Sequence, residues 1–203
     1  PAPDRTAAFL STASDGTSFL AGWSTTYPRE RVRAARFTAA GEVLDKVPIA
    51  LPASDARLFA PTIAWDGTAY VVVWGEAMDD PELQPPVDLY AARISADGVL
   101  IDGSAAHIAT VTDLNYFQAT ATGGTTLVSW ATATGRIQLA RLSDGAVLDE
   151  TPIDVVMAYG AWSGAASCMT ASCLIVWSTC PTAGTCSNHL STSTLPVSRR
   201  TAC

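Results

Sequence analysis

The chain has 203 residues, of which 48% are hydrophobic and 15% are charged, and its formal net charge is −7 at pH 7. This composition argues against a disordered chain, because it is apolar enough to fill the core of one large β domain or two small ones. The acidic balance without a basic run argues against a nucleic-acid surface, and no apolar stretch reaches the roughly 18 residues that a membrane helix needs.

The chain starts with Pro1-Ala2-Pro3-Asp4, which does not have the pattern of a secretory signal peptide. A start on Pro1 without a methionine is expected for a mature protein or an excised fragment.

One pattern of strands and turns then recurs four times, over about 6–50, 58–110, 116–154 and 159–203. Short runs rich in Val, Ile, Thr and aromatic residues alternate with Gly- and Asp-containing turns, and helical periodicity is absent. Each repeat is therefore predicted to contain four antiparallel strands. Every repeat also has a marker tryptophan, and the spacing of about 50 residues is typical of a repeat fold. The marker tryptophans are Trp23, Trp74, Trp130 and Trp177.

Tandem four-stranded antiparallel units of this length build β-propeller blades. The recurring pattern, best seen in Asp66-Gly67-Thr68, Trp74 and Ala91-Ala92-Arg93, resembles the propeller repeats of secreted and cell-surface proteins of soil and marine bacteria. This resemblance covers nearly the whole chain and implies a scaffold with one variable face and no shared catalytic residues. We therefore expect an all-β fold with four tandem four-stranded blades, forming one propeller domain or propeller segment over 1–203. The last blade is expected to be incomplete, or to be closed by the N-terminus or by another chain.

The turns between the first and second strands predict which residues face each other. A two-residue turn at Gly67-Thr68 places Trp65 opposite Tyr70. The same turn in the fourth repeat places Cys168 opposite Cys173. Both pairs fit the close, non-hydrogen-bonded site of an antiparallel ladder, so we predict a disulfide between these two cysteines.

The turns between the third and fourth strands place an arginine opposite an aspartate in three repeats. A fixed carboxylate partner occupies the fork of the guanidinium group, so we interpret each pair as a structural ion pair. The alternative is a ring of arginines that binds an anion. The three pairs are Arg36 with Asp45, Arg93 with Asp102, and Arg141 with Asp149.

All five cysteines follow residue 167, and their spacing matches no Cys/His zinc pattern. This favours disulfides and an oxidising location outside the cytoplasm, either secreted or at the cell surface. Cys180 and Cys186 are expected to form a second disulfide that closes a loop. Cys203 has no local partner, which favours self-association or pairing with a second chain through the incomplete last blade.

The connections between strands fall into two groups, one nearly constant and one variable. The variable group contains the second-to-third strand loops and the links between repeats, and both emerge on the same face of a propeller. Loops on a rigid scaffold are where binding usually evolves, so a ligand is predicted to contact this variable face. The predicted contact residues are Tyr27, Arg29, Phe59, Asp79, Asp80, Tyr116, Phe117, Tyr159 and Trp162.

The densest acidic cluster is Asp79-Asp80-Pro81-Glu82, with Glu76 nearby. Calcium takes about six to eight oxygen ligands, but no glycine fixes the geometry here, so we interpret the cluster as a solvated loop and predict no metal and no cofactor. His107 and His189 have no Ser, Cys or Asp companion at a recognisable spacing, so a catalytic triad is not predicted either.

Three functions fit these observations. The leading hypothesis is a non-catalytic extracellular binding or assembly module that recognises protein or carbohydrate through the variable face. The first alternative is a hydrolase that acts on glycans through loop carboxylates such as Glu76, Asp79 or Asp113. Glycosidases need two carboxyl groups at a defined separation, and no sequence feature pairs two of them. The second alternative is a structural subunit of a surface assembly.

Overall fold

The computed structural model describes residues 7–25, 31–54, 56–78, 85–101, 105–157, 161–169, 172–179 and 189–196. All regular structure in these residues is β-strand, and the strands form four antiparallel sheets that follow one another along the chain. Each sheet is one blade, so the predicted all-β propeller is confirmed. The described residues contain no helix long and apolar enough to cross a membrane.

Blades 1 and 2 each have four strands, which lie side by side in chain order. Blade 1 consists of β1 (Ala7–Ser14), β2 (Ser18–Thr25), β3 (Arg31–Thr38) and β4 (Ile49–Ala50). Blade 2 consists of β5 (Arg57–Trp65), β6 (Ala69–Ala77), β7 (Val87–Ser95) and β8 (Ala106–Val111).

Blades 3 and 4 depart from this plan at their outer edges. In blade 3 two short strands, β12 and β13, share the outer position and both pair with β11. In blade 4 the structure describes three strands, and residues 197–203 lie outside the described part of the chain. Blade 3 consists of β9 (Leu114–Thr122), β10 (Thr125–Thr132), β11 (Arg136–Ser143), β12 (Ala146–Val147) and β13 (Ile153–Met157). Blade 4 contains β14 (Ala161–Met169), β15 (Ser172–Thr179) and β16 (His189–Pro196).

The first hairpins of blades 2 and 4 have the predicted register. Trp65 pairs with Tyr70, and their ring centroids are 4.8 Å apart. Cys168 pairs with Cys173 at the corresponding position of blade 4, and the two form a disulfide. Gly67 adopts a φ of +103°, which a residue with a side chain rarely does, so the turn between Trp65 and Tyr70 depends on glycine.

The ion pairs of blades 1 and 3 are formed, but the prediction that their residues stand directly opposite each other is wrong by one residue, since Phe37 bridges to Val43 and Leu142 pairs with Val147. The pairs also interrupt the fourth strand. Arg36 Nη2 lies 2.7 Å from Asp45 Oδ1, and Arg141 Nη2 lies 2.6 Å from Asp149 Oδ1. In each pair the aspartate also accepts a hydrogen bond from the backbone N–H of its arginine, at 2.7 Å in blade 1 and 2.8 Å in blade 3. A side chain thus takes the donor that a regular fourth strand would use.

The fourth strand of blade 2 also begins later than the sequence predicts. The run 99–109 that follows the turn at Asp97-Gly98 predicts one strand, but β8 begins at Ala106 and Leu100 forms only an isolated bridge with Ile94. Asp102 lies outside the described residues, so its pairing with Arg93 stays a prediction.

The innermost strands, β1, β5, β9 and β14, pack next to one another around the propeller axis. Side chains tie them together, since Ile63 N donates to Ser11 Oγ at 3.0 Å and Ala119 N donates to Thr62 Oγ1 at 3.2 Å. A Cβ atom at Gly22 would lie 2.8 Å from Ile63 Cδ1, so glycine permits the close approach of blades 1 and 2 there.

The hydrophobic core lies between blades. Alternating side chains give each strand two faces, and every internal blade buries one face against each neighbour. The largest fully buried side chains include Leu20, Tyr70 and Trp74 between blades 1 and 2, Leu89, Trp130 and Leu142 between blades 2 and 3, and Leu139 and Ile175 between blades 3 and 4.

Candidate functional site

Three strands of blade 2 bring polar side chains together on the variable face. Glu76, near the end of β6, pairs in register with Asp88 of β7, and Asp88 pairs with Thr110 of β8. Residues directly opposite each other on antiparallel strands project from the same side of the sheet. Two carboxylates and a hydroxyl therefore form a row across the rim of the blade.

Glu76 is the buried member of this row, with only 9% of its surface exposed. Trp74 Nε1 donates to Glu76 Oε1 at 2.8 Å, and the backbone N–H of Ser54 donates to the same oxygen at 3.1 Å. The Ser54 hydroxyl donates to Glu76 Oε2. A buried carboxylate is tolerated only when it has such partners, and these three donors fix its orientation.

Asp88 is the exposed member of the row. It accepts a hydrogen bond from Thr110 Oγ1 at 2.5 Å, and the same Asp88 oxygen lies 3.2 Å from His107 Nε2. Thr110 Oγ1 is also 3.3 Å from His107 Nε2. A catalytic triad needs its hydroxyl and its carboxylate on different ring nitrogens. The three groups are therefore not a triad, and their effect is to hold Asp88 in place.

Aromatic rings lie directly beside the two carboxylates. Tyr90 is stacked on Trp74 with centroids 6.1 Å apart, and it meets His107 edge to face at 5.3 Å. Burial raises the pKa of Tyr90, and the negative charges of Asp88 and Glu76 raise it further. Apolar area beside a few fixed polar groups is the usual composition of a small-molecule site. The blade-2 rim cluster consists of Glu76, Asp88, Tyr90, His107 and Thr110.

The other blades have different residues where blade 2 has its carboxylates. Two positions after the marker tryptophan, each of the other three blades has a threonine, and a basic residue faces it on the third strand. In blades 1 and 3 the threonine hydroxyl lies 3.5 Å from the backbone carbonyl oxygen of that basic residue. Glu76 and Asp88 are therefore a departure from the repeat. The corresponding pairs are Thr25 with Arg31, Thr132 with Arg136, and Thr179 with His189.

Three predicted ligand residues have described side chains, and none belongs to the rim cluster. Phe59 is half-buried beneath the guanidinium group of Arg57, which lies 5.4 Å from its ring centroid. Phe117 is 8% exposed and packs in the core between blades 2 and 3. Tyr116 is exposed, and its hydroxyl donates to Gln118 Oε1 at 3.4 Å. A ligand contact by any of the three stays a prediction.

The remaining predicted residues fall where the structure gives no side chain. Trp162 is in β14, but only its backbone is described. Within the described part of the chain, no group of three His, Cys, Asp or Glu side chains is placed to hold a metal ion. The predicted residues outside the described ranges are Tyr27, Arg29, Asp79, Asp80, Tyr159, Cys180, Cys186 and Cys203.

The sequence predicts a loop over 75–88 between the second and third strands, and for this reason it does not pair Glu76 with Asp88. The pairing of β6 with β7 continues to Ala77 and Val87, which are both buried, so the two carboxylates stand on strands. A comparison of the residues that follow each marker tryptophan would have shown Glu76 as the exception.

No family model matches the sequence, and no curated protein matches it. Solved structures match its fold. A thermostable family-43 glycoside hydrolase has a TM-score of 0.55 and 9% identity, over 92% of this chain and 70% of that chain. The subtype N10 neuraminidase-like protein of A/little yellow-shouldered bat/Guatemala has a TM-score of 0.55 and 9% identity, over 85% of this chain and 52% of that chain. Trypanosoma rangeli sialidase has a TM-score of 0.50 and 11% identity, over 86% and 34%.

At these identities the likeness shows the fold, which is a β-propeller, and the chain spans about half the length of the neuraminidase-like protein. The comparison also corrects the leading hypothesis. The expectation of a non-catalytic binding module, and with it the expectation that the chain is not an enzyme, is wrong by this comparison, because a glycoside hydrolase and a sialidase share the fold. The alternative hypothesis, a glycan-acting hydrolase, agrees better with the proteins that share this fold.

Proposed function

We propose that the chain is the propeller of a glycan-acting hydrolase and that its substrate binds at the blade-2 rim cluster. The similarity of its fold to a glycoside hydrolase and a sialidase supports the substrate class. The observation that carries the proposal is the departure of blade 2 from the other repeats. Two carboxylates, Glu76 and Asp88, stand where the other blades have a threonine and a basic residue.

The register of the two strands limits how far apart the two carboxylates can be. Directly opposite residues on antiparallel strands have Cβ atoms about 4.5–5.5 Å apart. Retaining glycosidases place their two carboxyl groups about 5–5.5 Å apart, whereas inverting enzymes need about 6.5–9.5 Å to admit a water. A short Cβ separation allows the two carboxyl groups to come within the retaining distance, so we infer a retaining mechanism.

The environments of the two carboxylates suggest their roles. Glu76, held by Trp74 and Ser54, attacks the anomeric carbon as the bond to the leaving oxygen breaks. Asp88, on the solvent side, gives its proton to the leaving oxygen and later takes one from the water that releases the sugar. Tyr90 supplies ring area beside the reacting sugar.

We also propose where the chain works, how far its domain extends and which loops contact the substrate. The Cys168–Cys173 disulfide supports work outside the cytoplasm, secreted or at a bacterial cell surface. We infer that residues 1–203 form one propeller domain or propeller segment. The residues predicted on the variable loops are taken to extend the substrate contacts beyond the rim.

The test is an assay of the purified chain on a panel of aryl glycosides and sialosides. We expect release of the aryl group from at least one member, with retention of anomeric configuration by NMR. Glu76→Gln and Asp88→Asn should each lower kcat by ~10²–10⁴-fold. Thr132→Val, at the position of blade 3 that corresponds to Glu76, is the matched control and should leave kcat unchanged. Inactivity of the wild-type chain on the whole panel would overturn the proposal.

A further inference from the structure

Neighbouring blades meet through two different faces. We call the face toward the preceding blade the leading face, and the face toward the following blade the trailing face. At the start of the second strand, the leading face carries Tyr70 in blade 2, Thr126 in blade 3 and Cys173 in blade 4, with exposed fractions of 0%, 1% and 1%. In blades 2 and 4 this residue belongs to the core shared with the preceding blade.

The leading face of blade 1 is apolar in the same way but is uncovered. Phe19 occupies the position of Tyr70 and is 44% exposed. Leu10 pairs in register with Trp23 and is 73% exposed, whereas Phe117, at the corresponding position of blade 3, is buried. Large apolar side chains exposed on one face of a sheet mark an interaction surface.

The trailing face of blade 4 is uncovered as well. Leu174 is 42% exposed, although the corresponding residues Leu20, Val71 and Leu127 are all buried by the following blade. Val176, on the same face of β15, is only half-buried. The second end of the propeller therefore also presents an apolar surface.

These two uncovered faces are one leading face and one trailing face, and at each internal interface a leading face packs on a trailing face. Among the described residues, no hydrophobic core contains members of both blade 1 and blade 4. Each of the three internal interfaces joins one trailing face to one leading face. The chain thus carries both halves of a further interface of the same type and leaves them apart, one at each end.

We propose that a second copy of the chain completes this interface. The trailing face of blade 4 in one copy packs on the leading face of blade 1 in the other copy. Such a contact is heterologous, and two copies around a common axis form a closed ring with no free end. The ring stays within the range of about four to eight blades that propellers have. The proposal does not depend on the proposed hydrolase activity.

The first test is the solution mass of the wild-type chain over a wide concentration range, by sedimentation equilibrium. We expect twice the mass of one chain at the upper concentrations. Phe19→Asp and Leu174→Asp should each raise the dissociation constant by roughly 10- to 100-fold, because each places a charge where an apolar side chain was buried. Val47→Asp is the control, since Val47 is 79% exposed and belongs to no core among the described residues.

A mixing experiment distinguishes head-to-tail association from other arrangements. The Phe19→Asp variant keeps an intact trailing face, and the Leu174→Asp variant keeps an intact leading face. In the mixed ring one junction is fully wild-type and the other carries both substitutions, whereas each variant alone has no wild-type junction. A mixture should therefore form a dimer through its wild-type junction under conditions in which each variant alone is monomeric. Leu10→Asp provides a second leading-face variant if Phe19→Asp does not fold, as judged by circular dichroism.

Three results would overturn the proposal. A wild-type chain that stays monomeric would leave a further blade or another protein as the occupant of the two faces. A dimer that both variants leave intact would place the contact elsewhere. A dimer that only one variant disrupts, with no recovery on mixing, would mean that like faces meet and that the association is not head to tail.

Discussion

Blades 2 and 3 share one backbone plan and differ in the residue that accepts the hydrogen bond of the marker tryptophan. In blade 3, Trp130 Nε1 donates to Gln138 Oε1 at 3.2 Å, and Gln138 stands directly opposite on the next strand. In blade 2, Trp74 Nε1 donates at 2.8 Å to Glu76, which faces a second carboxylate. The tryptophan belongs to the scaffold in both blades. A few side chains at a fixed rim position can therefore differ between blades while the scaffold stays the same.

The largest expected effect comes from giving blade 2 the residues that blade 1 has at this position. The double variant Glu76→Thr, Asp88→Arg reproduces the pair Thr25 and Arg31. Because blade 1 accommodates that pair on the corresponding strands, the variant should fold, and the loss of the acceptor for Trp74 Nε1 should cost about 1–3 kcal/mol of stability. Hydrolysis should fall by ~10²–10⁴-fold or more, because both reacting groups are gone. Measurements of kcat/KM and of thermal unfolding check the two parts separately.

The matched control for this exchange is Thr132→Val in blade 3, which should retain full activity. A double variant that still hydrolyses its substrate at the wild-type rate would show that the chemistry lies elsewhere on the propeller. A double variant that does not fold would mean that the carboxylates are part of the scaffold, contrary to the comparison of the blades.

A smaller effect is expected from shortening the two tryptophans. Trp74→Phe and Trp130→Phe each leave a cavity and an acceptor without its donor, so each should lower the free energy of unfolding by about 2–3 kcal/mol. Only Trp74→Phe should also lower kcat, because Glu76 loses one of the donors that orient it. Urea denaturation and steady-state kinetics of both variants measure the contrast.

Trp130→Phe serves as the control for general loosening of the propeller. If both variants lose activity to the same extent, the loss follows from stability and the orientation of Glu76 is not the cause. If neither variant loses stability, the indole hydrogen bonds do not contribute to the fold as described.

The parts of the fold that were predictable from the sequence are those fixed by short turns. A two-residue turn leaves one choice of register, so counting from it gave Trp65 opposite Tyr70 and Cys168 opposite Cys173. The turns between the third and fourth strands were predicted less well, because aspartate side chains take backbone donors there in blades 1 and 3 and β8 begins only at Ala106. Local turn chemistry therefore predicts hairpins better than it predicts the outer strands.

The candidate site was harder to predict because it depends on where two strands end. Glu76 was recognised as a loop carboxylate, but Asp88 was not paired with it. The pairing of Ala77 with Val87 depends on burial against blade 3, which is a tertiary effect that no local pattern reports. The uncovered leading face of blade 1 and trailing face of blade 4 could not be predicted for the same reason, because the burial of Phe19 and Leu174 depends on what packs against each blade.

The smallest change in stability is expected for a carboxylate that holds the scaffold together, in contrast to the carboxylates of the rim cluster, which should affect activity. Hydrogen bonds from the guanidinium group of Arg36 hold the pKa of Asp45 below its ordinary value, although burial opposes this. The unfolded value is about 4, so this carboxylate stabilises the fold fully above that pH, and its contribution is lost as the pH falls through the lower folded pKa.

Asp45→Asn should therefore cost about 1–2 kcal/mol at neutral pH, and the difference from wild type should shrink below about pH 4. Glu42→Gln, an exposed carboxylate near the same turn, is the control and should cost almost nothing. Urea denaturation over a pH series measures both. A difference between Asp45→Asn and wild type that stays constant with pH would mean that the substitution acts through packing. In that case the pH series would not distinguish a scaffold carboxylate such as Asp45 from the rim carboxylates Glu76 and Asp88. Loss of either rim carboxylate should instead lower the rate of hydrolysis.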